Sequence, residues 1–195
     1  DSWQYMQEML PLVQDLWRGD VAHEGRFWQF PSATSCPKPL QKTVPMWVAA
    51  RSPITFDYAV ANDCHIMSWP LTLPFSEAVK YRTQLDEAIA KNGGTYAGRF
   101  AMMRHTSVYE TASDRQSALD ATRGVLSQFG NLIMKSGEVR NGFPDPVPLE
   151  SLDGNFRVEP KMLEDNLMFG SPSQVIDKLG KYQEIGVDAF IYYAS

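Results

Sequence analysis

The sequence has 195 residues, of which 44% are hydrophobic and 12% aromatic, enough apolar material for the core of one globular domain. The net charge of −5 at pH 7 is mild and the 18 Lys and Arg residues are scattered, which argues against a nucleic-acid partner. No run of about 18 apolar residues and no signal peptide is recognisable, so we expect a cytoplasmic protein that does not cross a membrane.

The first predicted element is a helix. Apolar residues recur in it at three- and four-residue steps: Trp3, Met6, Leu10, Val13 and Trp17. Arg18-Gly19 marks its end. Residues 19–44 contain several prolines and predict a long connection with one short strand. The two cysteines, Cys36 and Cys64, lack metal-site spacing, so we expect free thiols and no metal.

Strand-like and helix-like segments then alternate along the chain. The predicted strands are Val44–Ala50, His65–Trp69, Phe100–Tyr109 and Val187–Tyr193. The predicted helices are Pro53–Asn62, Phe75–Lys91, Ser113 to about Lys135, and one that begins at Ser171 with a capping box completed by Gln174. Strands that alternate with helices imply a parallel sheet, either doubly wound or closed into a (β/α) barrel.

Residues 137–169 interrupt this alternation. The segment has little periodicity and is too long for a plain connector, so it predicts an insertion before the last helix. Two interpretations stay open: a disordered loop, or a lid that excludes water from a reactive cofactor.

The two ends of the chain distinguish the two sheet types. The sequence begins within an amphipathic helix and stops after a strand that no helix follows, whereas a complete barrel takes about 250 residues. We therefore expect an α/β fold that is the C-terminal half of a (β/α)8 TIM barrel, with residues 1–195 as one incomplete domain. Such a half has two open sheet edges, which predicts either a homo-oligomer or one ordered piece of a longer protein.

Several sequence words resemble those of the bacterial luciferase-like flavin monooxygenases. They are EGRFWQF (24–30), PKPLQKTVPMWVAARSP (37–53), MFGSPSQVIDKL (168–179) and GVDAFIYY (186–193). Together they follow the family order over nearly the whole chain and match the C-terminal part of its barrel. The resemblance implies that the family's first four strands, with its histidine near the flavin, have no counterpart here.

The junction Arg51-Ser52-Pro53 raises the first site question. Ser52 followed by proline is typical of a helix N-cap, which is a purely structural role. A helix N-terminus also attracts anions, because its first N–H groups lack intrahelical partners. The resemblance implies that Arg51, Ser52 and Thr55 contact the flavin phosphate. Arg51 replaces an acidic residue of the luciferases, and a guanidinium suits a phosphate through bidentate hydrogen bonds.

Ser68 and Trp69 end the next predicted strand, and barrel active sites collect at strand C-termini. A tryptophan there can equally belong to the core. The resemblance implies that this pair borders the isoalloxazine ring. Arg104 and His105 are neighbours in a later strand, so only one of them can face the barrel interior, and the sequence leaves open which. The catalytic residue stays unknown.

The family resemblance implies a monooxygenase that uses reduced FMN, oxygen and a small organic substrate, with a separate flavin reductase as supplier. Two alternatives stay open. One is a deazaflavin-dependent oxidoreductase of the same fold, and the other is a non-catalytic flavin-binding protein. A fragment that lacks the first four strands is itself expected to be inactive.

Overall fold

The computed structural model describes residues 2–134, 138–145 and 147–194. The chain divides into two compact units, the first ending at Pro45 and the second beginning at Met46. The end of the predicted helix at Lys135 and the start of the predicted insertion at residue 137 lie outside the described residues. A single domain over residues 1–195 stays a prediction.

The first unit is a helix followed by a hairpin. Helix α1 (Ser2–Arg18) confirms the predicted first helix, and strands β1 (Val21–Glu24) and β2 (Gln29–Ala33) pair antiparallel. The sequence predicted one strand here. The turn between the two strands is held by Glu8 of α1, whose carboxylate accepts the backbone N–H groups of residues 26–28 at 3.0–3.2 Å. A side chain distant in sequence thus stabilises the hairpin.

The second unit alternates strands and helices. Its strands are β3 (Trp47–Ala49), β4 (His65–Ser68), β5 (Phe100–Val108), β6 (Val139–Arg140), β7 (Phe143–Pro144), β8 (Met168–Gly170) and β9 (Ala189–Tyr193). Its helices are α2 (Pro53–Ala61), α3 (Phe75–Lys91), α4 (Ala112–Met134), α5 (Pro160–Asn166) and α6 (Pro172–Glu184), with short 3-10 turns at Leu149–Leu152 and Phe156–Val158. The predicted strand–helix order is confirmed, although β3 is shorter than Val44–Ala50.

The main sheet is parallel. Strand β3 pairs with β4 and β4 with β5, and residues 101 and 102 of β5 pair with both β4 and β9. These last two strands therefore lie on opposite edges of β5, and β8 pairs with the C-terminal end of β5. The strands β3, β4, β5 and β9 follow each other in chain order, whereas a doubly wound sheet reverses its order at a switch point. The α/β class with a parallel sheet is confirmed.

The two faces of the sheet differ. On the first face, buried residues such as Phe100 and Met102 pack against helices α2, α3 and α6 to form the main core. Because side chains alternate along a strand, Ala101, Met103 and His105 lie on the second face. We call this the second face below. It includes Trp47 and Tyr193, which are 44% and 39% exposed.

The predicted insertion is partly structured. It contains the hairpin β6–β7, the two 3-10 turns, helix α5 and the start of β8. Leu163 and Leu167 are fully buried and join Leu119 of α4 and Phe169 in a second, smaller core. The sequence did not indicate β8, because a strand of three residues is too short to show a period.

Candidate functional site

The junction between β3 and α2 presents two hydroxyl groups at a helix N-terminus. Ser52 is the N-cap residue and Pro53 the first helical residue, as predicted. The Ser52 side chain does not cap the helix in the described structure; its Oγ lies 2.8 Å from the Oγ1 of Thr55. Ser171, in the second Ser-Pro motif, before α6, does form the predicted capping box with Gln174. The cap explanation therefore accounts for the Ser171 hydroxyl and not for the Ser52 hydroxyl.

Arg51 adds a positive charge beside these hydroxyl groups. It is exposed, and its side chain makes no hydrogen bond or ion pair with any residue that the structure describes. The first N–H groups of a helix and its dipole favour an anion at this point, and a guanidinium can donate two hydrogen bonds to one phosphate. The chemistry of the junction suits a phosphate group.

Ser68 lies inside the core, and its contact with a flavin ring stays a prediction. It is fully buried on the first face, and its hydroxyl donates a hydrogen bond of 2.6 Å to the carbonyl of Ala50. That carbonyl immediately precedes Arg51. Ser68 thus fixes the end of β3 at the position from which the phosphate-binding candidates extend.

Trp69 lies on the second face within an aromatic cluster. Its ring centroid is 6.0 Å from those of His105 and Tyr193 and 6.1 Å from that of Phe129. His105 pairs with Tyr193 in the parallel register, and their rings meet nearly at right angles, 4.6 Å apart. We call these four residues the aromatic wall. The indole N–H of Trp69 is buried and has no hydrogen-bond partner among the described residues.

The structure answers the question that the sequence left open for the pair on β5. Arg104 lies on the first face, where its guanidinium approaches Tyr182, and His105 lies on the second. Burial, and then the nearby charge of Arg104, lower the pKa of His105 to about 4, so its imidazole is neutral at pH 7. Tyr193 was not a site candidate from sequence, whereas His105 was one of the two β5 residues whose orientation and role in substrate or phosphate contact the sequence left open. Alternation within a strand leaves either face possible, so only the register between the strands places both residues beside Trp69.

Across the described residues, no group of three or more His, Cys, Asp or Glu side chains is arranged to hold a metal ion. None of the helices in those ranges is both long and apolar enough to cross a membrane. Cys36 and Cys64 are both free thiols, the former exposed and the latter buried.

Comparison with known proteins gives a consistent relationship. Residues 1–189 match the sequence model of a family described as luciferase-like monooxygenase. The chain is 32% identical over 197 residues to the oxygenase component of a flavin-dependent trigonelline monooxygenase from Acinetobacter baylyi, covering 99% of this chain and 55% of that relative. The chain thus spans about half the length of the curated relative it matches.

Two solved structures share the fold. One is an F420-dependent secondary alcohol dehydrogenase in complex with an F420-acetone adduct, with a TM-score of 0.63 and 20% identity over 95% of this chain and 57% of that chain. The other is the oxygenating constituent of 3,6-diketocamphane monooxygenase from Pseudomonas putida in complex with FMN, with a TM-score of 0.62 and 16% identity over 100% of this chain and 57% of that chain. At these identities the likeness shows the fold alone.

Proposed function

This chain belongs to the luciferase-like monooxygenase family, and from that premise we propose that it is part of the oxygenase component of a two-component FMN-dependent monooxygenase. A separate reductase would supply the reduced flavin, and a small organic molecule would be the substrate. FMN is proposed over a deazaflavin because the relative at 32% identity is named flavin-dependent.

One observation carries the proposal: a cation and two hydroxyl groups that do not cap the helix lie together at the start of α2. The Arg51 guanidinium makes no hydrogen bond or ion pair with the described residues, and the Ser52 and Thr55 hydroxyl groups bond to each other rather than to the helix. These groups and the helix N–H groups would hold the FMN phosphate. When bound, the reduced flavin supplies the activation of oxygen.

The aromatic wall would line the isoalloxazine ring. Flat aromatic surface excludes water and packs against a flat cofactor. The neutral imidazole of His105 adds a polar group without a charge, and the buried Trp69 N–H offers a donor toward a ring acceptor. Ser68 would act through the backbone, by fixing the end of β3. Together these residues would bind and orient the cofactor.

We also propose that this chain forms the C-terminal half of a (β/α)8 barrel. Within the described residues, β3 pairs only with β4 and β9 only with β5, which leaves one open edge at each end of the sheet. The second face carries half-exposed aromatic rings that further strands would cover. The relative's additional length would supply them, or a second copy of this chain would.

FMN titration of the full-length protein, followed by flavin fluorescence, tests the phosphate site. Ser52→Ala should weaken FMN binding about fivefold, the effect of losing one hydrogen bond of about 1 kcal/mol. Ser171→Ala is the matched control, because it changes the other Ser-Pro word, whose hydroxyl caps α6. Equal FMN affinity in Ser52→Ala and the wild type would contradict the assignment. Oxygen consumption with reduced FMN and a panel of small organic substrates then tests the oxygenase activity.

A further inference from the structure

The turn that follows Trp69 is held by side chains from two other elements. Arg104 of β5 donates through Nη1 to the carbonyl oxygens of Leu71 and Leu73 at 3.0 and 2.8 Å. Asn166, the last residue of α5, donates through Nδ2 to the carbonyl of Thr72 at 2.9 Å. Three consecutive carbonyl groups thus accept hydrogen bonds from outside the turn. Leu71 has a positive φ of 56°, a conformation that a leucine keeps only where surrounding contacts determine it.

Burying the charged guanidinium of Arg104 costs free energy, which a purely structural role does not explain. Arg104 is fully buried, and among the described residues its guanidinium bonds to a hydroxyl and to backbone carbonyls and to no carboxylate. Its Nε donates to the Tyr182 hydroxyl at 2.8 Å, and its Nη1 donates to the two carbonyl groups of the turn. A buried charge without a counterion is costly and contributes little net stability. Its hydrogen bonds fix the geometry of the turn.

Asn166 connects the turn to the insertion. The carbonyls on either side of it, those of Glu164 and Leu167, accept hydrogen bonds from the ammonium of Lys178 on α6. The same ammonium donates to the carbonyl of Phe169 in β8 at 2.9 Å. The end of α5 is therefore anchored to the helix-and-sheet framework at the point where Asn166 reaches the turn.

We infer that Arg104 and Asn166 are positioning residues for Trp69, so that the insertion helix α5 and the indole ring are coupled through the turn at residues 71–73. Only Pro70 separates Trp69 from this turn, so we expect a displacement of the turn to shift the ring within the aromatic wall. This inference rests on the proposed function for the identity of the ligand, a flavin ring, and on geometry alone for the coupling.

Asn166→Asp tests the coupling with little change in volume, because it removes the donor and keeps the shape. The matched control is Lys161→Ala on the same helix, whose side chain is 89% exposed and pairs only with Asp165 within the described residues. Two measurements apply to the full-length protein. One is amide hydrogen exchange of Leu73 without flavin, because its N–H donates to the Pro70 carbonyl and so reports the closed turn. The other is the quenching of FMN fluorescence on binding, which reports the indole near the ring.

We expect Asn166→Asp to raise the amide exchange rate of the turn about fivefold, the effect of one lost hydrogen bond, and to reduce the FMN quenching. Lys161→Ala should change neither. Arg104→Lys, which cannot reach both carbonyls and the Tyr182 hydroxyl, should give a larger effect; if it does not fold, the Asn166 variant decides.

If the turn exchanges at the same rate in Asn166→Asp and in Lys161→Ala, the positioning role is overturned. If the turn exchanges faster in Asn166→Asp but the FMN quenching is unchanged, the coupling to Trp69 is overturned. A wild-type protein that binds no FMN would refute the proposed function instead, and the exchange measurement would then decide the positioning role alone.

Discussion

Replacing Arg51 by glutamine separates a phosphate contact from any other role of the junction. Arg51 is exposed and its side chain makes no hydrogen bond or ion pair in the described ranges, so Arg51→Gln should leave the folded state intact. A hydrogen bond to a charged group contributes about 1.5–3 kcal/mol, and the lower end applies to an exposed side chain that solvent screens. About 1.4 kcal/mol corresponds to a tenfold loss of FMN affinity.

The assay compares two ligands and two variants. Riboflavin has the isoalloxazine ring and lacks the phosphate, so Arg51→Gln should weaken FMN binding and leave riboflavin binding unchanged. Arg99→Gln is the control, because Arg99 is also exposed but precedes β5, at the opposite end of the parallel strands from Arg51. Raising the ionic strength from about 0.1 M to 1 M shortens the Debye length from about 10 to 3 Å. The difference in FMN affinity between the wild type and Arg51→Gln should therefore become smaller. Equal losses for FMN and riboflavin, or for the two arginine variants, would refute the phosphate assignment.

Three further outcomes concern stability. Ser68→Ala should lower the free energy of unfolding in urea by about 1–2 kcal/mol, because the buried Ala50 carbonyl loses a donor. Leu163→Ala should lower the free energy of unfolding by about 2–5 kcal/mol in the same assay, because the side chain is fully buried. A loss as small as that of an exposed residue would show that Leu163 does not belong to the second, smaller core. Burial raises the pKa of Glu8, but hydrogen bonds from His23 and three backbone N–H groups outweigh it, so the pKa lies below its usual 4.5. The ionised Glu8 therefore stabilises the folded state above pH 4.5, and this stabilisation is lost as the pH falls through the folded pKa. Thermal melting should show that the Glu8→Gln variant loses less stability on acidification than the wild type.

The sequence predicted the elements whose signals are local. Helix α3 and the capping box at Ser171 have a clear period or a complete set of capping residues, and both are confirmed. Strand β8 and the hairpin near Gly25 were missed, because three residues carry no period and because the hairpin depends on Glu8 from another element.

The candidate site divides in the same way. Arg51, Ser52 and Thr55 are close in sequence, so their proximity could be predicted, and their contact with a flavin stays a prediction. The aromatic wall joins Trp69, His105 and Tyr193 from three strands, and only the strand register brings them together. Likewise, no local pattern indicates that Ser68 faces the core while Trp69 faces the opposite side.

The Glu8 carboxylate has a consequence for the order in which the chain gains its structure. Its hydrogen bonds to the hairpin close loops of no more than 20 residues, whereas the bond from the Phe100 N–H to Asp188, which joins β5 to the start of β9, closes a loop of 88 residues. Loop-closure entropy grows with the logarithm of length, so the longer closure costs roughly 1.3 kcal/mol more. We expect the helix and hairpin of the first unit to form early, and strand β9 to join the sheet late, leaving the β9 edge of β5 unpaired during synthesis and refolding.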